Sequence, residues 1–247
     1  MYYTNTVTRH FSTSIVVPCK NESGNLTPLI ETLVSSIRSD DEIIIVEGNS
    51  SDSTYTEALD LQSKFPKHIT TLKQLNQGKF DAVLTGVKFS NCEIIMIWDA
   101  DATVNFDQNF EIYSYSNLQP ALITGNRLNG KRDKGAMKPI NLLGNWAFAI
   151  LWGVLARKKP IDLLCGTKKF PRSLLENSPT WLHKLDPYGD FSLIAIAINN
   201  RLPIISIPVH YHARSHGRTN IRRWKDGFKL LSITIVIHYK LFFKVFK

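Results

Sequence analysis

Two aspartates one residue apart, Asp99 and Asp101, are the side chains of this sequence best suited to holding a metal ion. They directly follow the apolar run 94–98, which has the composition of a buried strand. Carboxylates at positions i and i+2 of an extended segment can face the same side, and they repel each other unless a cation is near. Hard ions such as Mg²⁺ or Mn²⁺ prefer oxygen ligands and complete their coordination with phosphate oxygens. The alternative is an ordinary helix cap beside a solvated loop.

Two further strand ends carry polar side chains, one after the β-branched run 13–17 and one at the end of the run 42–47. Their candidate binding residues are Pro18, Asn21, Glu22, Glu47 and Asn49. Runs that are apolar on both faces are typical of the middle of a mostly parallel sheet covered by helices. Ligands bind beyond the carboxyl ends of such strands, which favours the metal site over the helix cap.

The alternation of strand and helix patterns predicts an α/β fold with a mostly parallel sheet and flanking helices. We expect strands at 13–17, 42–47, 70–75, 93–98 and 121–124, and helices at 26–37, 54–65, 79–89 and about 106–115. Further on we expect a helix at 137–156, a short segment at 161–170, a helix at 190–199, a strand pair at 204–207 and 209–212, and a helix from 221. We assign residues 1–220 to one domain and 221–247 to a C-terminal amphipathic helix.

The charge of the chain indicates an anionic partner. The 247 residues include 30 Lys and Arg against 21 Asp and Glu, a net charge of +9. Because no nucleic-acid-binding motif is recognisable, we expect phosphorylated ligands and a membrane surface, and no nucleic acid. Three scattered cysteines and the lack of a signal-peptide pattern favour a cytoplasmic location with peripheral membrane association.

The order of the three strand-end motifs resembles family 2 glycosyltransferases with the GT-A fold, a Rossmann-like arrangement. These motifs are Val-Val-Pro-Cys-Lys-Asn-Glu (16–22), Glu-Gly-Asn-Ser-Ser-Asp-Ser-Thr (47–54) and Asp-Ala-Asp (99–101). Segments 125–127, 143–145, 162–168, 207–209 and 214–220 resemble the branch of dolichyl-phosphate mannose synthases and polyprenyl-phosphate glycosyltransferases. The resemblance covers roughly residues 13–225.

This resemblance implies an inverting transfer of a hexose from a UDP- or GDP-sugar to a polyprenyl phosphate acceptor. It implies Mg²⁺ or Mn²⁺ bound by Asp99 and Asp101, of which Asp101 is the more direct ligand. The implied catalytic residues are Asp101, Asp190, Arg127 and Arg214, of which the two arginines would hold phosphates of the donor or the acceptor. The implied donor-binding residues are Pro18, Asn21, Glu22, Glu47, Asn49, Asp99, Lys138, Arg218 and Asn220. Many family members have two acidic residues where this chain has Glu47-Gly48, which leaves the nucleotide open.

Two kinds of acceptor are consistent with the sequence, and they differ in the role that they give to Asp190. A carboxylate in this part of the chain serves many family 2 enzymes as the base that deprotonates a hydroxyl, so a surface glycan is the alternative acceptor. A lipid phosphate is already anionic and needs no strong base, and Asp190 would then orient neighbours or cap a helix. The non-enzyme alternative is a basic module that binds membranes or nucleic acid, which leaves the polar strand ends without a purpose.

Two other features need an interpretation. After residue 223 aromatic residues alternate with lysines, a composition typical of a helix lying in the interface of an anionic membrane. His210 and His212 share one strand face, but no third metal ligand is evident from the sequence, so we assign no metal site there. The loop 131–134 either closes over the donor phosphates or is a solvated turn.

Overall fold

The computed structural model describes residues 11–115, 120–156, 160–176, 178–214 and 223–246, and in these ranges the strands form a seven-stranded sheet. Its strands are β1 (Thr13–Cys19), β2 (Glu42–Glu47), β3 (Ile69–Lys73), β4 (Ile94–Ile97), β5 (Leu122–Asn126), β6 (Lys168–Pro171) and β7 (Ile204–Pro208). They lie in the order β3-β2-β1-β4-β6-β5-β7, and β6 alone among them runs antiparallel to its neighbours. The expected mostly parallel α/β sheet is confirmed.

Helices cover both faces of this sheet. They are α1 (Leu26–Ser36), α2 (Thr54–Lys64), α3 (Lys79–Phe89), α4 (Phe110–Ser114), α5 (Pro139–Ala156), α6 (Ser173–Glu176), α7 (Thr180–Leu185), α8 (Asp190–Asn199) and α9 (Arg223–Phe242). The expected helix at 79–89 has the observed bounds, and the one at 106–115 is divided into a 3-10 turn and the short α4.

Alternation along the strands builds two apolar layers. Ile15 and Val17 of β1 pack on the face covered by α1, α2 and α4, whereas Val16 packs on the face covered by α3, α5, α8 and α9. Helix α3 lies very close to β1, because a Cβ at Gly86 would lie 2.5 Å from Val16 Cγ1. Glycine at this position therefore sets how deeply α3 can dock.

The expected strand pair at 204–207 and 209–212 is only half present. Strand β7 ends at Pro208, which has no N–H group to continue a ladder. The residues beyond it form isolated bridges instead, in which Tyr211 pairs with Val104 on one side and Arg132 on the other. The short segment expected at 161–170, for which the sequence predicted neither helix nor strand, ends in the first three residues of the antiparallel strand β6.

Helix α9 packs on the domain with one side and exposes the other. Trp152 of α5 donates a hydrogen bond to Thr234 Oγ1 at 3.2 Å, and Ile233 and Ile237 are buried. The exposed apolar side chains of α9 and the turn after it are Phe228, Leu231, Ile235, Val236, Tyr239, Phe242, Phe243 and Val245. Among the described helices, none has the length and apolar character needed to cross a bilayer. The division of the chain at residue 220 stays a prediction.

Candidate active site at the carboxyl edge of the sheet

The strand register brings the three polar strand ends to one edge. Cys19 lies opposite Glu47, and Trp98 N donates to Val16 O at 3.0 Å, so the segments after β1, β2 and β4 emerge side by side. Each of these segments contains a non-glycine residue in the left-handed region, namely Asn21, Asn49 and Ala102, with φ of 55°, 56° and 56°. Such strained backbone is concentrated at functional sites in proteins.

Side-chain hydrogen bonds tie the first two strand ends together. Asn21 N donates to Ser50 Oγ, and Asn21 Oδ1 accepts from Ser51 N at 2.8 Å. Buried Glu47 accepts the N–H of Ser50. We expected Asn21 and Glu47 to bind the donor. In the structure their side chains instead form hydrogen bonds that fix the loop after β2. Asn49 is exposed and Pro18 is half-buried on the same edge.

Arg214 joins the first strand end to the third. One of its terminal nitrogens donates to Glu22 Oε1 at 2.9 Å and the other to Asp101 Oδ2 at 2.8 Å. The second carboxylate oxygen of Asp101 accepts from the N–H and the hydroxyl of Thr103. Three predicted site residues, separated by up to 192 positions, thus form one contiguous cluster.

Burial and charge shift the protonation of this cluster in opposite directions. Burial raises the pKa of Glu22, although Arg214 and Asn25 act to lower it. Burial disfavours the charge of Arg214, but Asp101 and Glu22 outweigh it and raise the pKa of the guanidinium further. A permanent positive charge therefore lies between two acids at the edge of the sheet.

Asp99 has a cationic partner of its own, Lys79 at the start of α3. The Lys79 ammonium lies 2.5 Å from Asp99 Oδ1. Burial disfavours both charges, yet Lys79 lowers the pKa of Asp99, and Asp99 with Asp190 raises the pKa of Lys79. A Cβ at Gly166 would lie 1.9 Å from Asp99 Oδ2, so any larger residue at Gly166 would displace this pair.

Asp190 begins α8 and is held by Lys168. The fully buried ammonium of Lys168 donates to Asp190 Oδ1 at 2.5 Å and to the carbonyl oxygens of Leu163 and Cys165. These acceptors satisfy the three donors of an ammonium group. The sequence motif 162–168 contained Lys168 but no indication of its partner, which lies 22 residues further on.

Arg127, expected to hold phosphates of the donor or the acceptor, forms a bidentate pair with Asp162. Its Nε donates to Oδ2 at 2.7 Å and its NH2 to Oδ1 at 2.8 Å, with the two side chains 12% and 1% exposed. Burial raises the pKa of Asp162, but Arg127 reverses the effect and lowers it. This arrangement satisfies the planar fork of the guanidinium within the protein.

Of the remaining expected residues, the structure describes Lys138 and not the other two. Lys138 is exposed one residue before α5, and within the described ranges no hydrogen bond or ion pair connects its side chain to Asp99 or Asp101. Arg218 and Asn220 lie outside the described residues. The structure adds Lys79 and Lys168, which sequence reasoning missed because a single lysine carries no positional signal.

The oxygen groups at this edge fit a hard divalent ion. Asp99 and Asp101 offer carboxylate oxygens, the ligand type that Mg²⁺ and Mn²⁺ prefer. Each of them contacts a cationic side chain, Lys79 or Arg214, so each carboxylate already lies beside a positive charge. The chemistry of the donor set therefore agrees with the metal inferred from sequence.

A mostly parallel sheet with polar strand ends at its carboxyl edge is typical of the class of α/β folds that bind ligands at that edge. The family described as "Glycosyl transferase family 2" matches residues 14–169, and the chain belongs to this family. The chain is 27% identical over 219 residues to a dolichyl-phosphate beta-glucosyltransferase of Trichomonas vaginalis, covering 81% of this chain and 64% of that protein. It is 28% identical to the human dolichyl-phosphate beta-glucosyltransferase, covering 80% of this chain and 66% of that protein.

A second kind of relative is a poly-beta-1,6-N-acetyl-D-glucosamine synthase of Staphylococcus epidermidis. It is 30% identical over 206 residues, which cover 82% of this chain and 48% of that protein. The chain thus spans less than two thirds of the length of the first curated relatives that it matches.

Solved structures share the fold. A mannosyltransferase from Pyrobaculum calidifontis in complex with GDP-Man and Mn²⁺ superposes with a TM-score of 0.64 at 20% identity, covering 96% of this chain and 65% of that one. Glucosyl-3-phosphoglycerate synthase from Mycobacterium tuberculosis, in complex with Mn²⁺, UDP and glucosyl-3-phosphoglycerate, gives 0.61 at 16% identity, with coverages of 92% and 80%. These likenesses confirm the expected GT-A fold.

Proposed function

We propose that this chain transfers a hexose from a UDP- or GDP-sugar to a polyprenyl phosphate of the dolichyl type, with inversion at the anomeric carbon. The observation that carries the proposal is the cluster of Glu22, Asp101 and Arg214 at the carboxyl edge of the sheet. The printed names of several relatives, which are dolichyl-phosphate beta-glucosyltransferases, supply the acceptor class and favour glucose as the sugar.

The donor diphosphate would bind where the carboxylates and cations alternate. Asp99 and Asp101 would hold Mg²⁺ or Mn²⁺, which would neutralise charge that grows on the leaving diphosphate. Arg214 can offer a forked pair of N–H donors to phosphate oxygens. Lys79 adds a second positive charge on the other side of the aspartate pair. These positive charges would stabilise the negative charge on the departing nucleotide.

This chain would recognise the base of the nucleotide without a second acidic residue, because Gly48 follows Glu47. A Cβ at Gly48 would lie 3.1 Å from Gln74 Oε1 and 3.3 Å from Cys19 O, so the position has little room for a side chain. The Glu47 carboxylate already accepts the Ser50 N–H group. Both UDP and GDP donors therefore belong in the test.

The pairing of Asp190 with Lys168 supports an acceptor that is ionised before it binds. A phosphate oxygen needs no proton removed at neutral pH, so the reaction would proceed with Asp190 kept in its buried ion pair. The phosphate oxygen would attack the anomeric carbon on the face opposite the nucleotide, which inverts the configuration in one displacement. In this proposal Asp190 and Lys168 shape the acceptor side of the site.

A hydroxyl acceptor is the second candidate, and one observation favours it. The Staphylococcus relative is named as a synthase of a β-1,6-linked polysaccharide, a product that forms on sugar hydroxyls. In that case Asp190 would have to leave Lys168 or take the proton with the oxygen that Lys168 does not contact. Asp190→Asn would then lower kcat by about 10²-fold to 10⁴-fold, whereas a phosphate acceptor predicts a loss below about tenfold.

The exposed face of α9 would rest on an anionic membrane, where a lipid-linked acceptor resides. Phe242 is 77% exposed and Phe228 is 68% exposed, and lysines at 225, 229, 240 and 244 lie on or next to this helix. The neighbouring helix α5 exposes Leu143 and Val154 as well. Aromatic and aliphatic groups mixed with lysine suit the boundary between lipid head groups and acyl chains.

The proposal is tested by assaying full-length protein in detergent with UDP-glucose, GDP-mannose and UDP-N-acetylglucosamine, each with Mg²⁺ or Mn²⁺. The acceptors are a short polyprenyl phosphate, the matching polyprenol and a β-1,6-linked glucosamine oligosaccharide. We expect transfer to the phosphate and none to the alcohol, with UDP-glucose or GDP-mannose as donor. Proton NMR of the product should show the β configuration. Transfer to the oligosaccharide alone, or a product with retained configuration, would refute the proposal.

A further inference from the structure

A second cluster of metal-ligand side chains lies outside the carboxylate site. Asp133, His210 and His212 each offer a ligand atom, and these atoms lie within 4.8 Å of one another. His210 Nε2 is 2.8 Å from Asp133 Oδ1, and His212 Nδ1 is 2.7 Å from Asp133 Oδ2. The third ligand, which the sequence did not reveal, comes from a loop 77 residues before the first histidine.

The hydrogen bonds of His212 leave a place for a cation in this cluster. Its Nε2 faces Gln108 Oε1 at 2.9 Å, so this nitrogen carries a proton when the amide oxygen accepts. In a neutral ring Nδ1 then bears a lone pair, which faces a carboxylate oxygen of Asp133. In that tautomer the two acceptors need a positive charge between them, which an extra proton or a metal ion supplies. If the Gln108 amide is turned so that its NH₂ group donates, Nδ1–H of a neutral ring donates to Asp133 instead.

The backbone holds the three ligands in place before any ion arrives. Tyr211 N donates to Lys131 O, Asp133 N donates to Tyr211 O at 3.0 Å, and His212 N donates to Thr103 O at 2.7 Å. His210 N donates to Asn109 Oδ1 at 2.7 Å. The centroids of the two imidazole rings lie 4.0 Å apart, with the ring planes tilted by 40°. The loop at 131–134 is therefore pinned here through Asp133.

We infer that Asp133, His210 and His212 form a zinc site, separate from the oxygen-only site of Asp99 and Asp101. Two imidazoles and one carboxylate match the three protein ligands of an open zinc site, with water in the fourth position. Nitrogen ligands favour Zn²⁺ over Mg²⁺. Tetrahedral zinc would place its ligand atoms about 3.3 Å apart, and the ligand atoms of this cluster lie within 4.8 Å of one another. Gln108 supplies the outer hydrogen bond that orients a zinc-bound imidazole.

Zinc at this site would cross-link two parts of the chain. One is the loop that follows β5, and the other is the segment that leads from β7 to Arg214, two residues beyond His212. The inference does not depend on glycosyl transfer, because it concerns binding and local stability alone.

The inference is tested on untagged full-length protein stripped with chelator and titrated with ZnCl₂ without nucleotide. We expect about one Zn²⁺ per chain with a Kd of about 1 μM or tighter. Co²⁺ in its place should produce the visible absorption of a tetrahedral ion. His210→Gln and Asp133→Asn should each weaken binding by at least about tenfold, and Gln108→Leu by about tenfold.

Two variants serve as matched controls. Asp107→Asn removes an exposed carboxylate of the same region, and Asp101→Asn removes one from the proposed donor site. Both should bind Zn²⁺ as the wild type does, and circular dichroism checks that every variant folds. Wild-type affinity in both His210→Gln and Asp133→Asn would overturn the zinc site. An NMR titration that shows a protonated histidine on Asp133 together with no zinc binding would also overturn it, in favour of an imidazolium–carboxylate pair.

Discussion

Arg214 and Arg127 were both expected to bind phosphates, yet the structure places them in contrasting surroundings. Arg214 is 22% exposed and divides its donors between Glu22 and Asp101, which come from two different strand ends. Arg127 directs its fork at the single carboxylate of Asp162 and is 12% exposed. A guanidinium shared between two site acids can exchange one of them for a phosphate oxygen. One that already has a bidentate buried partner would have to leave an unpaired charge behind.

The contrast separates a residue suited to bind ligand from a residue suited to hold the fold. We therefore propose that Arg214 contacts the donor, whereas Arg127 acts mainly by fixing the loop after β5 to the segment that contains Asp162. Variants at the two clusters should fail in different ways, one in turnover and the other in stability.

The largest effect is expected for Asp101→Asn. Loss of its charge removes a metal ligand and one partner of Arg214, so kcat should fall by at least about 10³-fold, while the urea midpoint stays near that of the wild type. Asp107→Asn is the matched control and should keep full activity. EDTA should abolish turnover of the wild type, and added Mn²⁺ should restore it. Full activity in Asp101→Asn or in EDTA would contradict the proposal that the cluster of Asp101 and Arg214 serves catalysis.

Arg127→Leu should mainly reduce stability. It leaves the buried carboxylate of Asp162 without its partner, which costs about 3 kcal/mol of unfolding free energy by urea denaturation. Arg127→Leu combined with Asp162→Leu should recover part of that loss, since no buried charge remains. A stable Arg127→Leu protein with no activity would instead place Arg127 at the donor.

The pair of Arg127 and Asp162 should also make the protein less stable in acid. The folded protein lowers the pKa of Asp162 below its value in the unfolded chain. Its contribution is therefore fully present above the unfolded pKa of about 4. It is lost as the pH falls through the lower folded value, and the doubly substituted protein should lack this part of the acid transition.

Arg214→Gln should reduce kcat/KM by about 10²-fold and leave the unfolding free energy within about 1 kcal/mol of the wild type. The neutral amide can still donate to Glu22 or Asp101, so the fold should tolerate it. Steady-state kinetics with varied donor and a urea titration measure the two quantities. A large loss of stability with unchanged kcat/KM would make Arg214 the structural residue of the two.

The smallest effect is expected away from both clusters, on the face of α9. Phe242→Asn should weaken binding to vesicles containing an anionic lipid by about tenfold, because a large apolar group leaves the interface. Phe89→Asn on α3 is the matched control, since Phe89 is also exposed. Vesicle flotation measures binding, and activity on a soluble short-chain acceptor should stay unchanged. Equal loss in both variants would show that α9 is not the membrane face.

The accuracy of sequence reasoning differs between the halves of the chain. The units β1-α1, β2-α2 and β3-α3 are local, and their apolar periodicities predicted helix α3 with its observed bounds. Strand β6 and the bridges of Tyr211 depend on partners far along the chain. Periodicity describes which face of a segment is apolar, but it contains no information about the segment that will cover that face.

By itself the sequence determined the α/β class, the aspartate pair and the three polar strand ends, because these depend on residue type and on spacing within a few positions. Only the tertiary structure decided which charge meets which. It paired Asp99 with Lys79, Asp101 with Arg214, Arg127 with Asp162 and Asp133 with two histidines. Ion pairs and metal clusters form between groups a few ångströms apart in space. Their separation along the chain is set by how the strands are ordered and not by any local pattern.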